Sequence, residues 1–150
     1  MKTENMKALL DVNVWLPLAW DGHAASTVAR DWLNSHKGGL IFCRITQLAL
    51  LRHLTNPNFL GADCLSNRDA AVLIEALVQQ PNVTVAAEPP DLAEFFPRLG
   101  ETRNSNRKLW TDAYLAAFAI GGAFELVTFD RGFTRFKSGG LSLRLLKAPV

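Results

Sequence analysis

The sequence predicts an α/β fold, a three-layer α/β/α sandwich with a central parallel sheet of four to five strands. Short apolar runs typical of buried strands alternate with longer segments that have helical periodicity. Helices that follow strands in this way favour a parallel sheet covered on both faces. The chain has 150 residues, 49% of them hydrophobic and 20% charged, which is typical of a globular protein with a real core. We expect a single domain spanning residues 1–150.

The first two predicted strands lie on either side of a helix. The run KALLDV (7–12) has the composition of a buried strand, and LIFC (40–43) that of a second short strand. Between them, residues 23–36 place their apolar side chains on one helical stripe, and a Gly-Gly pair ends the helix. That stripe consists of Ala25, Val28, Ala29, Trp32 and Leu33.

Two helices and a strand follow in the middle of the chain. Residues 45–54 have a helical pattern that an Asn-Pro pair stops. Ser66, with Asp69 three residues later, resembles a capping box at the start of a helix over 67–80. The run 83–87 follows a Pro-Asn turn and is rich in valine, so we expect a third strand there.

The last third of the chain contributes a loop, a helix and two strands. Residues 100–108 are polar and predict a loop. Residues 111–122 predict a helix of small and apolar residues that ends in glycines. The runs 125–129 and 142–146 predict a fourth strand and a fifth strand at the edge of the sheet.

Three aspartates fall where a parallel sheet places a ligand site. Asp11 follows the first strand, Asp130 follows the fourth, and Asp112 lies at the start of a helix. Ligands bind beyond the carboxyl ends of such strands, and an isolated buried carboxylate is costly unless it is paired, hydrogen-bonded or bound to a metal. Each aspartate also has a structural alternative: Asp11 as a cap of a helix starting at Val14, Asp112 as an N-cap and Asp130 as part of a turn.

The three carboxylates have the chemistry that a hard divalent cation requires. Mg²⁺ and Mn²⁺ prefer oxygen ligands, usually a few carboxylates together with waters and substrate phosphate. A cation held in this way activates water and stabilises the charge that develops in phosphodiester cleavage. The net charge of +2 is a weak indication of a polyanionic partner, but no acidic residue follows Asp130, whereas five basic residues do. Such basic groups would hold a nucleic-acid backbone, or they are simply solvated surfaces.

Other kinds of site find little support. Cys43 and Cys64 lack the spacing of a zinc site, and two unpaired thiols are typical of a reducing cytoplasm. The histidines are scattered, and neither a GxSxG elbow nor a glycine-rich phosphate loop is present. We see no secretory or membrane-spanning segment and expect a cytoplasmic protein that does not enter a membrane. The four tryptophans are expected in the core or at interfaces.

Four motifs resemble the PIN domain, and specifically the VapC-type toxins of bacterial toxin–antitoxin modules. They are LLDVNVWL, ITQLALLRHLTNP, TDAYLAAFA and LVTFDRGF, and they run from residue 9 to residue 133. The resemblance implies a parallel sheet between helices and a metal-dependent endoribonuclease, with Mg²⁺ or Mn²⁺ as the cofactor. It implies that Asp11, Asp112 and Asp130 are the catalytic, metal-binding acids. Asn13 and Thr128 would be their polar supports.

The resemblance also suggests partners and a binding surface. It implies an RNA substrate, a cognate VapB-like antitoxin that blocks the acidic site, and a homodimer, for which the region around Trp15 and Trp20 is a candidate interface. Five basic residues are candidates for contact with the RNA backbone. They are Arg103, Arg107, Lys108, Arg131 and Arg135.

The sequence departs from the family pattern at one position. Members commonly carry a glutamate about three residues beyond a threonine in the helix after the second strand. Here Thr46 is followed by Gln47, and the expected glutamate position holds Ala49. We therefore expect Thr46 and Gln47 in supporting roles and favour one bound metal ion over two.

Two alternatives to the ribonuclease hypothesis remain open at this point. The first is a catalytically weakened PIN-fold module that binds RNA or an antitoxin, and Ala49 is its support. The second is a phosphatase or phosphoacceptor that uses Asp11. It is disfavoured because that chemistry calls for a second aspartate where Asn13 stands.

Overall fold

The protein, described for residues 5–149 by a computed structural model, is built around one five-stranded sheet. All strand pairings are parallel, and the strand order is β3-β2-β1-β4-β5. The strands are β1 (Ala8–Leu10), β2 (Leu40–Phe42), β3 (Val83–Val85), β4 (Glu125–Thr128) and β5 (Ser142–Leu145).

Helices connect the strands and cover both faces of the sheet. Short 3₁₀ segments at Gly61–Asp63 and Arg131–Gly139 complete the described structure. The helices are α1 (Val12–Ala19), α2 (Ser26–Ser35), α3 (Arg44–Leu54), α4 (Pro57–Leu60), α5 (Asn67–Val78), α6 (Leu92–Leu99) and α7 (Leu109–Gly122).

Strand β1 determines how the layers form, because all three of its side chains are fully buried. Alternate residues of a strand point to opposite faces. Leu9 packs in the cluster that contains the inner sides of α6 and α7, whereas Ala8 and Leu10 pack in the cluster that contains α1, α2, α3 and α5. The sheet is therefore enclosed on both faces, which confirms the predicted three-layer sandwich.

The strand order places a crevice at the carboxyl end of β1. From β1 the chain passes to β2 and β3 on one side, and then to β4 and β5 on the other. A parallel sheet binds its ligands where the order reverses in this way. Leu10 pairs with Val127 across the reversal, so Asp11 and Thr128 follow at neighbouring ends of β1 and β4.

The predicted strands and longer helices are present, and the differences lie at their ends. The first strand stops at Leu10 instead of continuing through Val12, because α1 begins there. Helix α7 starts at Leu109, two residues before the predicted start, so Asp112 lies in its first turn and is not its cap. Helix α1 was foreseen only through the cap alternative for Asp11, and α4, α6 and the 3₁₀ segments were not predicted.

Two further observations bear on the sequence predictions. Cys43 is buried and Cys64 is partly buried, and neither forms a disulfide. Among residues 5–149, every helix is too short or too polar to span a lipid bilayer.

The close approach of α7 to the sheet predicts a strong dependence on alanine at position 116. Ala116 is fully buried, so an Ala116→Leu change overpacks the core and should lower the free energy of unfolding by roughly 1–3 kcal/mol. Ala76 on α5 is exposed, and Ala76→Leu should change the stability by less than about 0.5 kcal/mol. Urea unfolding of both variants measures the difference. Equal effects of the two changes would show that α7 tolerates extra volume against the sheet.

Candidate active site

Asp11 is a buried carboxylate that is held on both oxygens. It follows β1, caps α1 and is 9% exposed. Its Oδ1 accepts a hydrogen bond from the Val12 N–H at 2.7 Å, and its Oδ2 accepts one from the Thr128 hydroxyl at 2.8 Å. Hydrogen bonds to the charged form lower the cost of burying a carboxylate. The cap alternative for Asp11 is therefore correct, with the helix starting at Val12, and it is compatible with a role in a site.

The Thr128 hydroxyl connects the ends of β1 and β4. Thr128 is fully buried, and its hydroxyl donates to Asp11 Oδ2. The same oxygen accepts hydrogen bonds from the Asp130 N–H at 3.0 Å and from the Asn13 side-chain amide at 3.2 Å. A hydroxyl has one donor and two acceptor positions, so all three are used. One side chain thereby fixes two of the three predicted acids relative to each other.

Asn13, in the first turn of α1, forms hydrogen bonds with the end of β4. In addition to its bond to Thr128, its Oδ1 accepts a hydrogen bond from the Phe129 N–H at 3.2 Å. The first turn of α1 is thus tied to the segment that leaves β4. Asn13 and Thr128 lie where supports of the acids would have to lie.

Asp130 stands on the turn that follows β4 and is exposed. Its Oδ1 accepts a 2.7 Å hydrogen bond from the Gly132 N–H and caps the 3₁₀ segment Arg131–Gly139. Its Oδ2 accepts no hydrogen bond from any residue in the range 5–149, so it is available to another partner. The turn that the sequence offered as an alternative is present, and it directs the carboxylate to the same edge of the sheet.

Asp112 approaches the other two acids from α7. Burial, followed by repulsion from Asp130 and from Asp11, raises the pKa of Asp112 to about 6, and the charge of Arg135 opposes this shift. Burial also raises the pKa of Asp11, against the lowering effects of Thr128 and Val12. The three carboxylates therefore share one electrostatic environment at the carboxyl edge of the sheet.

The chemistry of these donors fits a hard divalent cation. No salt bridge neutralises any of the three acids within the described part of the chain. In the same part of the chain, no group of three or more acidic, histidine or cysteine side chains is drawn together tightly enough to form a complete set of metal ligands. The acids thus form an open arrangement whose mutual repulsion a cation would relieve.

The helix after β2 carries Thr46 and Gln47, for which the sequence predicts supporting roles. Thr46 is buried, and its hydroxyl donates to the Cys43 carbonyl and accepts from the Cys43 N–H, so its hydrogen bonds cap α3. The Gln47 side-chain oxygen accepts a hydrogen bond from Arg44 on the same helix. Neither side chain forms a hydrogen bond with an acid, and Ala49 lies partly buried on this helix.

The five basic candidates are all exposed and form two groups. Arg131 and Arg135 follow Asp130, and the charge of Arg135 acts on Asp112. Arg103, Arg107 and Lys108 lie in the polar segment before α7. The prediction of their contact with RNA is consistent with this exposure.

Trp110 lies on the surface, unlike the core position that the sequence predicts as one alternative for the tryptophans. Trp15 and Trp32 are buried as expected, whereas Trp110 is 49% exposed and lies two residues before Asp112. Its place directly after a polar, basic loop was the available signal in the sequence.

The chain matches the family model for the PIN domain over residues 8–138. That range includes all three acids and the sheet up to β4. The protein is therefore a member of the PIN domain family.

Similarity to individual proteins shows to which branch of the PIN domain family the chain belongs. Ribonuclease VapC41 of Mycobacterium tuberculosis is 44% identical over 144 residues, which cover 92% of this chain and 97% of that protein. The structure of VapBC-1 from nontypeable Haemophilus influenzae superposes with a TM-score of 0.66 at 16% identity and covers 93% of this chain and 98% of that one. VapBC2 from Rickettsia felis, solved with a promoter DNA fragment, gives 0.61 at 13% identity and covers 95% and 100% of the two chains. The chain belongs to the VapC branch of the family.

The Thr128 hydroxyl leads to a prediction about stability. Thr128→Val keeps the shape but leaves Asp11 Oδ2 without a donor, and the Asn13 amide and the Asp130 N–H without an acceptor. Urea unfolding at pH 7 should show a loss of roughly 1–3 kcal/mol. Thr128→Ser keeps the hydroxyl and should lose only about 0.8 kcal/mol for the buried methyl group. If the valine variant is the more stable of the two, the hydroxyl does not hold the junction together.

The raised pKa of Asp112 leads to a prediction about pH. Unfolded, this carboxyl has its ordinary pKa of 3.8, and folded it has a pKa of about 6, so the unfolded state releases its proton first as the pH rises. Its contribution to stability therefore falls between about pH 4 and pH 6 and stays unfavourable above that range. Asp112→Asn should raise the melting temperature in metal-free buffer at pH 7.5 by at least roughly 2–4 °C, and this gain should vanish near pH 4.

Asp69 provides the control, since it lies in the first turn of α5, outside the acidic site. Asp69→Asn should give no comparable gain at pH 7.5. A gain of equal size in both variants would mean that loss of any helix-terminal charge explains the effect.

Proposed function

We propose that this chain is a metal-dependent endoribonuclease that acts as the toxin of a type II toxin–antitoxin pair. The observation that carries the proposal is the convergence of Asp11, Asp112 and Asp130 at the switch point of a PIN-family sheet, where no residue among 5–149 forms a salt bridge with any of them. Its 44% identity to Ribonuclease VapC41 supports cleavage of RNA. The reaction would be hydrolysis of an RNA phosphodiester bond.

The roles of the side chains follow from their positions. Asp11, Asp112 and Asp130 would hold Mg²⁺ or Mn²⁺, which when bound supplies activation of water and charge stabilisation at the phosphate. Thr128 would hold the Asp11 carboxylate directly and Asp130 through its backbone N–H, and Asn13 would support Thr128 and the segment after β4. Because Ala49 replaces the additional acid of the family pattern, we favour a single ion.

The basic residues would hold the RNA backbone. Arg131 and Arg135 lie next to the acids, and Arg103, Arg107 and Lys108 extend the positive surface along the segment before α7. Contacts of this kind act on phosphates without regard to sequence and weaken as salt rises.

The partner we propose is a VapB-like antitoxin that covers the acidic site. The support comes from VapBC-1 and VapBC2, whose folds this chain shares. A homodimer, a cytoplasmic location away from membranes, and a single domain over residues 1–150 stay predictions. The last of these is supported by a sheet that gathers strands from residue 8 to residue 145.

A second candidate function is a PIN-fold module that binds RNA or antitoxin without cutting. Ala49 favours it, as does the absence of a complete set of metal ligands within residues 5–149. The two functions differ in one measurement, because Mn²⁺ binding coupled to RNA cleavage occurs only in the enzyme.

Replacement of Asp11 tests the proposal directly. Asp11→Asn keeps a side chain that caps helices well but removes the charge, so RNA cleavage should fall by at least ~10²-fold. The measurement is cleavage of total bacterial RNA by the purified chain, together with growth after induction in cells. Asp69→Asn should cleave and inhibit growth like the unmodified chain. Full cleavage by Asp11→Asn would exclude this mechanism.

Removal of the metal gives a second test. Chelation with EDTA should stop cleavage, and Mn²⁺ or Mg²⁺ should restore it. At pH 7.5 a saturating ion should also raise the melting temperature. An ion at a hundredfold excess over its Kd stabilises the folded state by roughly 2.7 kcal/mol. Asp112→Asn should lose this response. Cleavage that continues in EDTA would show that no metal takes part.

A further inference from the structure

We propose that Trp110 is the stacking platform of a subsite for an unpaired nucleobase of the RNA, in the cleft between the segment 100–107 and the start of α7. The inference rests on the proposed ribonuclease function and goes further, because it assigns recognition of a base to a residue outside the acidic cluster. It begins from the exposure of Trp110, which is 49%. Aromatic side chains stack on unpaired bases in proteins that bind single-stranded nucleic acids.

The indole ring is held in place by a close approach to Gly100. A Cβ atom added at Gly100 would lie 2.6 Å from Trp110 Cζ3 and 2.7 Å from its Cε3. Gly100 has φ −87°, which any residue adopts, so this contact, and not the backbone, requires glycine. The end of α6 therefore supports a ring that α7 carries. A pre-positioned ring loses little freedom when a base stacks on it.

The rest of the cleft is polar. Its volume is about 500 Å³, within the roughly 300–1,000 Å³ of small-ligand sites. The Thr102 hydroxyl donates to the backbone carbonyl of Asn104, whereas the side-chain amides of Asn104 and Asn106 form no hydrogen bond with any residue among 5–149. Such amides read the edges of unpaired bases. The polar side chains that line the cleft are Glu101, Thr102, Asn104, Ser105, Asn106 and Arg107.

The cleft leads towards the acidic site. A neighbouring cleft of about 520 Å³ shares Glu101 and Thr102 with it and is also lined by Arg135. Arg135 lies close enough to Asp112 for its charge to act on that carboxylate. The two adjoining clefts therefore lead from Trp110 to Arg135, the cation whose charge reaches Asp112.

Charge favours RNA over an acidic or apolar protein as the occupant. Arg107 lines the cleft, and Arg103 and Lys108 lie in the same segment, with Glu101 as its one acid. A positively charged groove with an aromatic platform is the combination found in single-strand binding sites. A surface for an apolar partner would present more apolar side chains than Trp110 alone.

Binding and cleavage are measured separately, so that this inference is tested apart from the proposed function. Binding is measured with the Asp11→Asn chain, whose cleavage should be at least ~10²-fold slower, and with labelled oligo(A) and oligo(U) of about 12 nucleotides. Fluorescence anisotropy of the label reports the binding. Adding Trp110→Ala should weaken binding roughly 5- to 150-fold, the loss expected for one stacked base. Trp110→Phe should retain most of the binding but lose the quenching of tryptophan fluorescence that RNA causes.

Two further variants separate stacking from structural damage. Gly100→Ala displaces the ring without removing it and should also weaken binding. Phe59→Ala removes an aromatic side chain that is 58% exposed and lies outside the cleft, and it should have no effect. Replacing single nucleotides by abasic ones should weaken binding at one or two neighbouring positions, and this effect should disappear in the Trp110→Ala chain.

The outcomes are distinct. If Trp110→Ala binds and cuts RNA like the unmodified chain, while Asp11→Asn abolishes cleavage, the subsite is excluded and the ribonuclease stands. If Trp110→Ala leaves RNA binding intact but changes the oligomeric state or antitoxin binding in light scattering, the cleft is a protein interface and the inference fails. If no variant cuts RNA but the abasic effect depends on Trp110, the base subsite stands without the ribonuclease.

Discussion

The structure depends on the way one negative charge is kept inside it. Asp11 stands at the end of a fully buried strand, where an unsatisfied carboxylate would cost several kcal/mol. Two hydrogen-bond donors from different elements stabilise this carboxylate. They are the Val12 N–H of α1 and the hydroxyl of Thr128 at the end of β4. Satisfying this charge therefore fixes where α1 starts and how the ends of β1 and β4 meet. Asn13 and Asp130 are positioned through the same hydroxyl.

Asp112 shows the opposite behaviour. It receives no hydrogen bond within the described range, it lies partly buried beside two like charges, and the charge of Arg135 compensates it only in part. A protein optimised for stability alone would not keep this group ionised there. The site thus combines two acids that folding uses as caps with a third that folding disfavours. A bound cation would turn the repulsion among the three into attraction to a common ion.

The fold, and the location of the three aspartates at one edge of the sheet, could be predicted from the sequence for physical reasons. Strands buried on both faces leave continuous apolar runs, and a single aspartate interrupting such a run stands out. The ends of elements were harder, since Val12 to Ala19 is as apolar as a strand but forms a helix that the Asp11 cap starts. The hydrogen bonds of Thr46 are local, but a cysteine at the cap position of α3 is not a usual capping signal, so they were not predicted. The exposure of Trp110 depends on how α7 packs against the end of α6, and the polar loop before it is only an indirect signal of that packing.

The division of labour among the acids bears on how the sequences of PIN-fold proteins are interpreted. A descendant that had lost its chemistry would still gain from Asp11 and Asp130, because each caps the segment that follows it. Genetic drift would first remove Asp112, because its loss relieves repulsion and costs the fold little. Under the proposed function, an aspartate at position 112 is therefore a better mark of a working enzyme than the aspartate that follows the first strand. This chain has kept it.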